Sequence, residues 1–326
     1  MPRCSATPRV RRSSIATTWR CCEHGAVILA ITGGTGFVGG HVIDVALAAG
    51  HQVRALARRS QPPRDGVTWV SGALDEAAAV STLVSTADAM IHVAGAVNAA
   101  SRAAFAAANV AGTRMVVEAA RTWDVRRFVH VSSLAAREPA LSDYGWSKAE
   151  AEQVVIASAL DWTIVRPPGV YGPGDMEQRD LFRAASRAGV VPLPPAGRLS
   201  ILHAGDLARL LLALAATPGD RAIHEPADAG GAMTYADFGR AIGRAVGRRV
   251  LPLSLPAPLL RMAARTDRLL RGPAAKLTAD RVAYMLHPDW SADPAKRPPA
   301  ALWQPRIDTA QGLSDTARWY RAHGLL

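Results

Sequence analysis

The run VILAITGGTGFVGG, residues 27–40, limits this chain to a narrow set of folds. A stretch of apolar, β-branched-rich residues meets a glycine-rich turn and passes at once into an apolar helical pattern at Phe37 and Val38. Strand, tight turn and helix follow in that order. Each glycine has a physical task if a dinucleotide lies over the turn. Gly33 permits the turn, Gly36 lets the backbone approach a pyrophosphate, and Gly39 lets the helix lie against the strand. The first N–H groups of the helix and its positive dipole end would face the phosphates. Thr35, Phe37 and Val38 complete this expected cofactor-binding turn. The spacing is a variant, Gly-x-x-Gly-x-x-Gly, and a glycine-rich turn without a ligand is the competing account. The rest of the chain decides between them.

From residue 25 onward strand and helix patterns alternate, which predicts a parallel sheet covered on both faces. Helix is expected over 36–49, closed by Gly50, and over 75–85 and 101–122; strands are expected at 51–56, 67–71, 89–93 and 128–132. The second strand ends in Arg58 and Arg59, where an NAD-preferring protein usually has an acid for the ribose 2′-hydroxyl. Arginine suits the 2′-phosphate of NADP, so NADP(H) is favoured over NAD(H), although two arginines also make an ordinary solvated loop. The fourth strand opens into Ala94 and Gly95, small enough for adenine and ribose to approach.

Tyr144 and Lys148 stand four residues apart in a helical pattern, so both side chains leave one face. An ammonium beside a phenol favours the phenolate, which makes the pair an acid–base candidate. A single Tyr-x-x-x-Lys is common as a buried Tyr and a surface Lys. Here Ser133 lies at the carboxyl end of the fifth strand, where ligands of such sheets collect.

With the 32–39 turn, Ser133 and the Tyr144-Gly-Trp-Ser-Lys148 motif, the chain resembles the extended short-chain dehydrogenase/reductases of the nucleoside-diphosphate-sugar epimerase/dehydratase group. The resemblance runs in the family's order over about residues 26–225, through Asn109-Val-Ala-Gly-Thr113, Val131-Ser132-Ser133, Arg166-Pro-Pro-Gly-Val-Tyr171-Gly-Pro-Gly174 and His203-Ala-Gly-Asp206. It implies an α/β fold: a Rossmann doubly wound parallel sheet over 25–171 and about 200–224, with a smaller substrate domain from 172–199 and 225–326. It also implies roles. Tyr144 exchanges the proton, Lys148 lowers its pKa and holds the nicotinamide ribose, and Ser133 orients the substrate oxygen. Asn109 supports the active-site helix, Val131 lines the cofactor groove, and Pro167 to Val170 lie beside the nicotinamide. Two features depart from the pattern. Ala73 follows Gly72 where relatives often carry Asp for adenine, so that contact would come from backbone groups around Leu74. The gap between Ser133 and Tyr144 is shorter than in sugar epimerases, which counts mildly against a nucleotide sugar.

Composition narrows the partners. The net charge of +11 falls to +7 once residues 1–24 are set aside, and no aromatic-interleaved basic patch marks the remainder, so nucleic acid is not expected. Cys4, Cys21 and Cys22 all lie in that stretch, and the nine His show no metal-ligand spacing, so no disulfide or metal is expected in the fold. Residues 1–24 lack the apolar region of a secretory signal and read as a disordered or mis-started extension, giving a cytoplasmic expectation. Short strands at 223–228 and 251–255 and a helix at 235–246 are expected on the substrate side. Between Leu259 and Arg271 a helical wheel groups Leu259, Met262, Ala263, Leu269 and Leu270 against Arg261, Arg265, Arg268 and Arg271. Such a helix either packs on the core with a solvated basic face or lies on the inner face of a membrane. It suits a long-chain lipid better than a nucleotide sugar. The expected function is NADPH-dependent reduction of a ketone on a hydrophobic, 3-ketoceramide-like lipid. An NAD-dependent nucleotide-sugar epimerase or dehydratase and a non-catalytic NADPH-binding accessory subunit are the alternatives. A homodimer is a further expected partner.

Overall fold

The computed structural model describes residues 27–272, 275 and 277–326. The extension expected over 1–24, with its cysteines, lies outside the described residues. Strands β1 (Ile28–Thr32), β2 (Gln52–Ala57), β3 (Val67–Ser71), β4 (Ala89–His92), β5 (Arg127–Val131) and β6 (Asp161–Val165) belong to one sheet. It is completed by β11 (Ile223–His224), and the order is β11-β6-β5-β4-β1-β2-β3. Every pairing in it is parallel. The order reverses between β1 and β4, which is where a doubly wound sheet opens a crevice at its carboxyl edge.

The apolar strands alternate between two cores, as a period of two requires. Leu29, Ile31 and Ile91 point toward helices α1 (Phe37–Ala48) and α7 (Ala204–Ala215), meeting Val42, Ile43, Leu207 and Leu211. Ala30, Met90, Phe128 and Ile164 point the other way, onto α2 (Ala77–Val84), α4 (Gly112–Thr122) and α5 (Asp143–Ile156), through Leu83, Val116 and Val155. Both faces are covered, so the strands need no polar side, and each buried Leu or Ile contributes about 1.5–3 kcal/mol.

The helix expected over 101–122 is three segments: α3 (Arg102–Phe105), a π-helical turn (Ala106–Ala111) and α4. The wider turn carries Asn109. A π turn admits one residue beyond the α repeat, which re-aims the side chains on it.

The remaining elements form the smaller part. They are β7 (Gly169–Tyr171), α6 (Arg179–Ala188), β8 (Val190–Leu193), β9 (Arg198–Leu199), β10 (Ile201–His203), β12 (Met233–Thr234), α8 (Tyr235–Ala245), β13 (Leu251–Ser254), α9 (Ala257–Arg271), α10 (Ala279–Met285), β14 (Asp289–Trp290) and α11 (Thr309–Ala322). A third core joins Tyr171, Phe182, Phe238, Ile242, Leu313 and Tyr320. The strand expected at 223–228 on the substrate side is instead β11, two residues long and paired with β6 at the edge of the large sheet. The 251–255 strand does form, as β13 against β8.

Two buried histidines sit side by side in the sheet. His92 is bonded on both ring nitrogens, to Thr32 Oγ1 at 2.6 Å and Thr113 Oγ1 at 2.9 Å. His130, stacked on it at 5.3 Å, has no hydrogen-bond partner on either nitrogen. Burial drives the His92 pKa down to about 3 and that of His130 well below its ordinary value. Both are neutral when folded, whereas the unfolded chain protonates them near pH 6.5. The unfolded state therefore binds more protons over this window, and stability falls as pH drops below about 6.5. Replacing His130 by Leu removes one such group and no hydrogen bond. The variant should match or exceed the wild type in urea midpoint near pH 7 and lose less between about pH 7 and pH 5. An unchanged acid sensitivity would contradict this account.

Candidate active site

The turn after β1 has the geometry that its glycines predict. Gly33 adopts φ +72°, and a Cβ there would stand 2.8 Å from the Ala94 amide nitrogen. A Cβ on Gly39 would lie 2.0 Å from the Gly33 carbonyl oxygen, so α1 and the turn touch backbone to backbone. Gly36 differs, because a Cβ there would meet only the Gly33 oxygen at 3.3 Å, and its φ of −90° suits any residue. Gly36 is the N-cap of α1 with no side-chain cap, and no acid stands in the first turn. Thr35 and Gly36 are exposed. Uncapped N–H groups on an open turn fit a dinucleotide pyrophosphate.

The other expected cofactor residues follow the ends of successive strands. Arg58 directly follows β2 and is exposed, Leu74 comes three residues after β3, and Ala94 and Gly95 come soon after β4. The Leu74 side chain packs toward Gly112, leaving its backbone as the part free to meet a ligand. Val131 ends β5, Pro167 follows β6 and Val170 lies in β7. The Pro167 carbonyl accepts the Leu134 amide at 3.1 Å, which ties this loop to the one after Ser133. A Cβ on Gly95 would come within 3.1 Å of Asn109 Oδ1 and 3.3 Å of Lys148 Nζ, so the groove floor is close to the polar groups beneath it.

Those groups converge. Ser142 caps α5, its Oγ accepting the Gly145 amide at 3.0 Å, and the helix then presents Tyr144 and Lys148. Ser133 Oγ accepts the Ala135 amide at 3.2 Å and lies close enough to the Tyr144 hydroxyl to oppose the effect of burial on it. Asn109 clamps the fourth-strand loop to α5. Its Oδ1 accepts the Ala96 amide at 2.6 Å, while Nδ2 donates to Ala96 O at 3.0 Å and Ser147 Oγ at 2.8 Å. Lys148 is buried and donates to the Val131 carbonyl at 2.8 Å.

The electrostatics differ from the sequence expectation in one respect. The spacing predicts an ammonium that eases ionisation of Tyr144; in the structure Lys148 Nζ donates to the Val131 carbonyl, and burial, opposed by the nearby Ser133 hydroxyl, raises the phenol pKa. Burial likewise brings the Lys148 pKa down to about 8, against the pull of the Glu152 carboxylate. The phenol is therefore protonated at neutral pH.

Several residues of the site carry no sequence signal. Glu152, one turn beyond Lys148, accepts the Ser132 hydroxyl at 2.5 Å and a two-pronged bond from Arg166 at 2.8 and 2.6 Å. Arg166 also faces Glu225 at 3.6 Å, and Glu225 meets Arg137 at 3.2 Å and Lys296 at 3.5 Å. Above them, α10 closes on the start of α5. The Asp143 amide donates to Asp280 at 2.5 Å, and Tyr284, on the same helix as Asp280, stacks on Trp290 at 4.5 Å. Only the i to i+4 spacing of Lys148 and Glu152 hints at this in the sequence.

With this geometry in view, comparison with known proteins is decisive at the family level. The model of the NAD dependent epimerase/dehydratase family matches residues 29–225. The chain belongs to that family. This epimerase/dehydratase-family protein is 35% identical to the "Ceramide reductase" of Caulobacter vibrioides, over 92% of its own length and 96% of the relative's. It is 28% identical to a "Putative dihydroflavonol 4-reductase" of Synechocystis sp., over 90% and 94% of the two chains. The Bordetella bronchiseptica enzyme WbmH in complex with NAD+ shares the fold, with a TM-score of 0.72 and 19% identity over 92% of this chain and all of that one. The family member described here is an NAD(P)-dependent oxidoreductase of the extended short-chain dehydrogenase/reductase type.

The last two glycines of the turn separate a binding role from a folding role. Gly36→Val should leave the melting temperature nearly unchanged and weaken dinucleotide binding by about tenfold or more, read by fluorescence titration. Gly39→Val should destabilise the fold itself. Equal melting losses in both would remove the distinction.

Proposed function

We propose that this protein is an NADPH-dependent reductase that converts a ketone on a hydrophobic lipid, 3-ketoceramide-like in class, to a secondary alcohol. The observation that carries the reading is the convergence of Ser133, Tyr144, Lys148 and Asn109 at the carboxyl edge of the sheet, with Asn109 bonded to Ser147 on the helix of Tyr144 and Lys148 bonded to the end of β5. A protonated phenol beside an orienting hydroxyl is set to give a proton to a carbonyl oxygen. When bound, the nicotinamide supplies a hydride for the carbonyl carbon. Tyr144 gives its proton to the oxygen, Ser133 Oγ donates a hydrogen bond that holds that oxygen, and Lys148, held at the Val131 carbonyl, brings its amino group under the groove floor at Gly95. Asn109 keeps the helix bearing Tyr144 in register with the cofactor loop. Arg58 supports NADPH, because the position that would carry an acid for the ribose 2′-hydroxyl is a cation. The lipid assignment is supported by the similarity to the Caulobacter ceramide reductase.

The test is a fluorescence titration with NADPH and NADH, followed by addition of a long-chain 3-keto lipid to the bound complex. NADPH should bind more tightly and be oxidised only when lipid is added. Tyr144→Phe should lower kcat by about 10²- to 10⁴-fold and leave NADPH affinity within about twofold. Arg58→Glu should weaken NADPH at least about tenfold more than NADH. NAD carried through purification with no response to lipid would replace this reading with a nucleotide-sugar epimerase or dehydratase. NADPH bound and never oxidised would replace it with a non-catalytic binding role.

A further inference from the structure

Helix α9 has two apolar faces, and the described residues cover only one of them. Leu260 and Ala264 are buried against Val282, with Leu255, Leu277 and Leu286 around them. The apolar group expected from the helical wheel faces outward instead: Leu259, Met262, Leu269 and Leu270 are 43%, 58%, 85% and 81% exposed. At 3.6 residues per turn these four fall within an arc of about 100°, roughly opposite the buried pair. Arg261, Arg265 and Arg268, all exposed, fill the arc alongside them. The one acid of the helix, Asp267, is partly buried and pairs with Arg271 at 3.3 Å.

Two adjacent leucines at this exposure are unfavourable in water and need an apolar cover. A second copy of the chain is a poor cover, because face-to-face pairing would bring two arginine rows together with no acid on either to answer them. An anionic lipid surface accepts both halves of the pattern, with leucines at the acyl boundary and guanidinium groups on phosphates.

We propose that α9 docks this protein on an anionic membrane surface through Leu259, Met262, Leu269 and Leu270, with Arg261, Arg265 and Arg268 on the headgroups. The docking stands independently of the reductase reading and supplies it with a source of substrate. Helix α10, next in the chain, is packed against α9 through Val282 and holds Asp280 on the first turn of α5. The lipid surface is thereby connected to the roof over Tyr144.

The experiment is co-sedimentation of the full chain with vesicles of phosphatidylglycerol and phosphatidylcholine, and with phosphatidylcholine alone, in the absence of cofactor and ketone. The protein should pellet with the anionic vesicles, and raised salt should weaken that binding. Leu269→Ser with Leu270→Ser should weaken it about tenfold or more, and each Arg→Gln change at 261, 265 or 268 by about fivefold. Melting temperature and NADPH affinity should be unchanged in all these variants, since every replaced side chain is solvent-exposed. Absence of binding to anionic vesicles, or binding that survives both sets of changes, would overturn the proposal. A concentration-dependent dimer that the two serine changes dissolve, without vesicle binding, would assign the face to a second copy. Because no turnover is read, failure here leaves the reductase reading untouched.

Discussion

The contact between Gly39 and the Gly33 carbonyl governs the nucleotide-binding half of this molecule. No side chain fits between the turn and the first helix, so α1 starts at a fixed point above β1. From that point Val42, Ile43 and Ala46 reach the sheet, and α7 packs beside them through Leu207 and Leu211. The same contact leaves the α1 amino end uncapped and open at the crevice. Placement of a helix and creation of an anion cradle are thus one steric event.

The catalytic side is held by charge rather than by close packing. Ser132 and Arg166, each adjacent in sequence to a site residue, meet on the Glu152 carboxylate. Arg166 and Glu225 extend the network to Arg137 and Lys296, so strands β5 and β6 are tied to the segment after β14. Buried ion pairs of this sort contribute little net stability because desolvation offsets their attraction. Their effect here is positional: Ser133 and Pro167 follow neighbours that have few alternative places to go.

Much of this was readable from the sequence, for identifiable reasons. The strands β1 to β5 are short apolar runs between turn residues, and the turn at Gly33 to Gly39 admits few conformations. Ser133 at a strand end and Tyr144 and Lys148 on one helix come together with Asn109, which reaches them from the π-helical turn. What was not readable depends on partners distant in sequence. Residues 223–228 look like an independent strand, yet only Ile223 and His224 pair, and they pair with the large sheet. The α9 wheel shows two apolar arcs, and only the position of Val282 determines that Leu260 and Ala264 turn inward. Arg166 falls within a motif of the sequence, but Glu152 and Glu225, the carboxylates it meets, gain their place only from the fold. The four-residue spacing of Tyr144 and Lys148 fixes where the lysine starts and not where its flexible chain ends, which is at the Val131 carbonyl.

Asp228 receives the Tyr171 hydroxyl at 2.7 Å and the Thr309 hydroxyl at 2.8 Å, and holds the His203 amide at 3.1 Å. The strand that contains Val170 is therefore braced by the first residue of α11, the last helix of the chain. During synthesis the sheet from β1 to β6 can assemble while the ribosome is still translating the remainder, since amino-terminal units generally fold first. The final bracing of β7 must wait for α11 to emerge. A nascent chain would thus have its nucleotide cradle well before it has a finished reaction chamber.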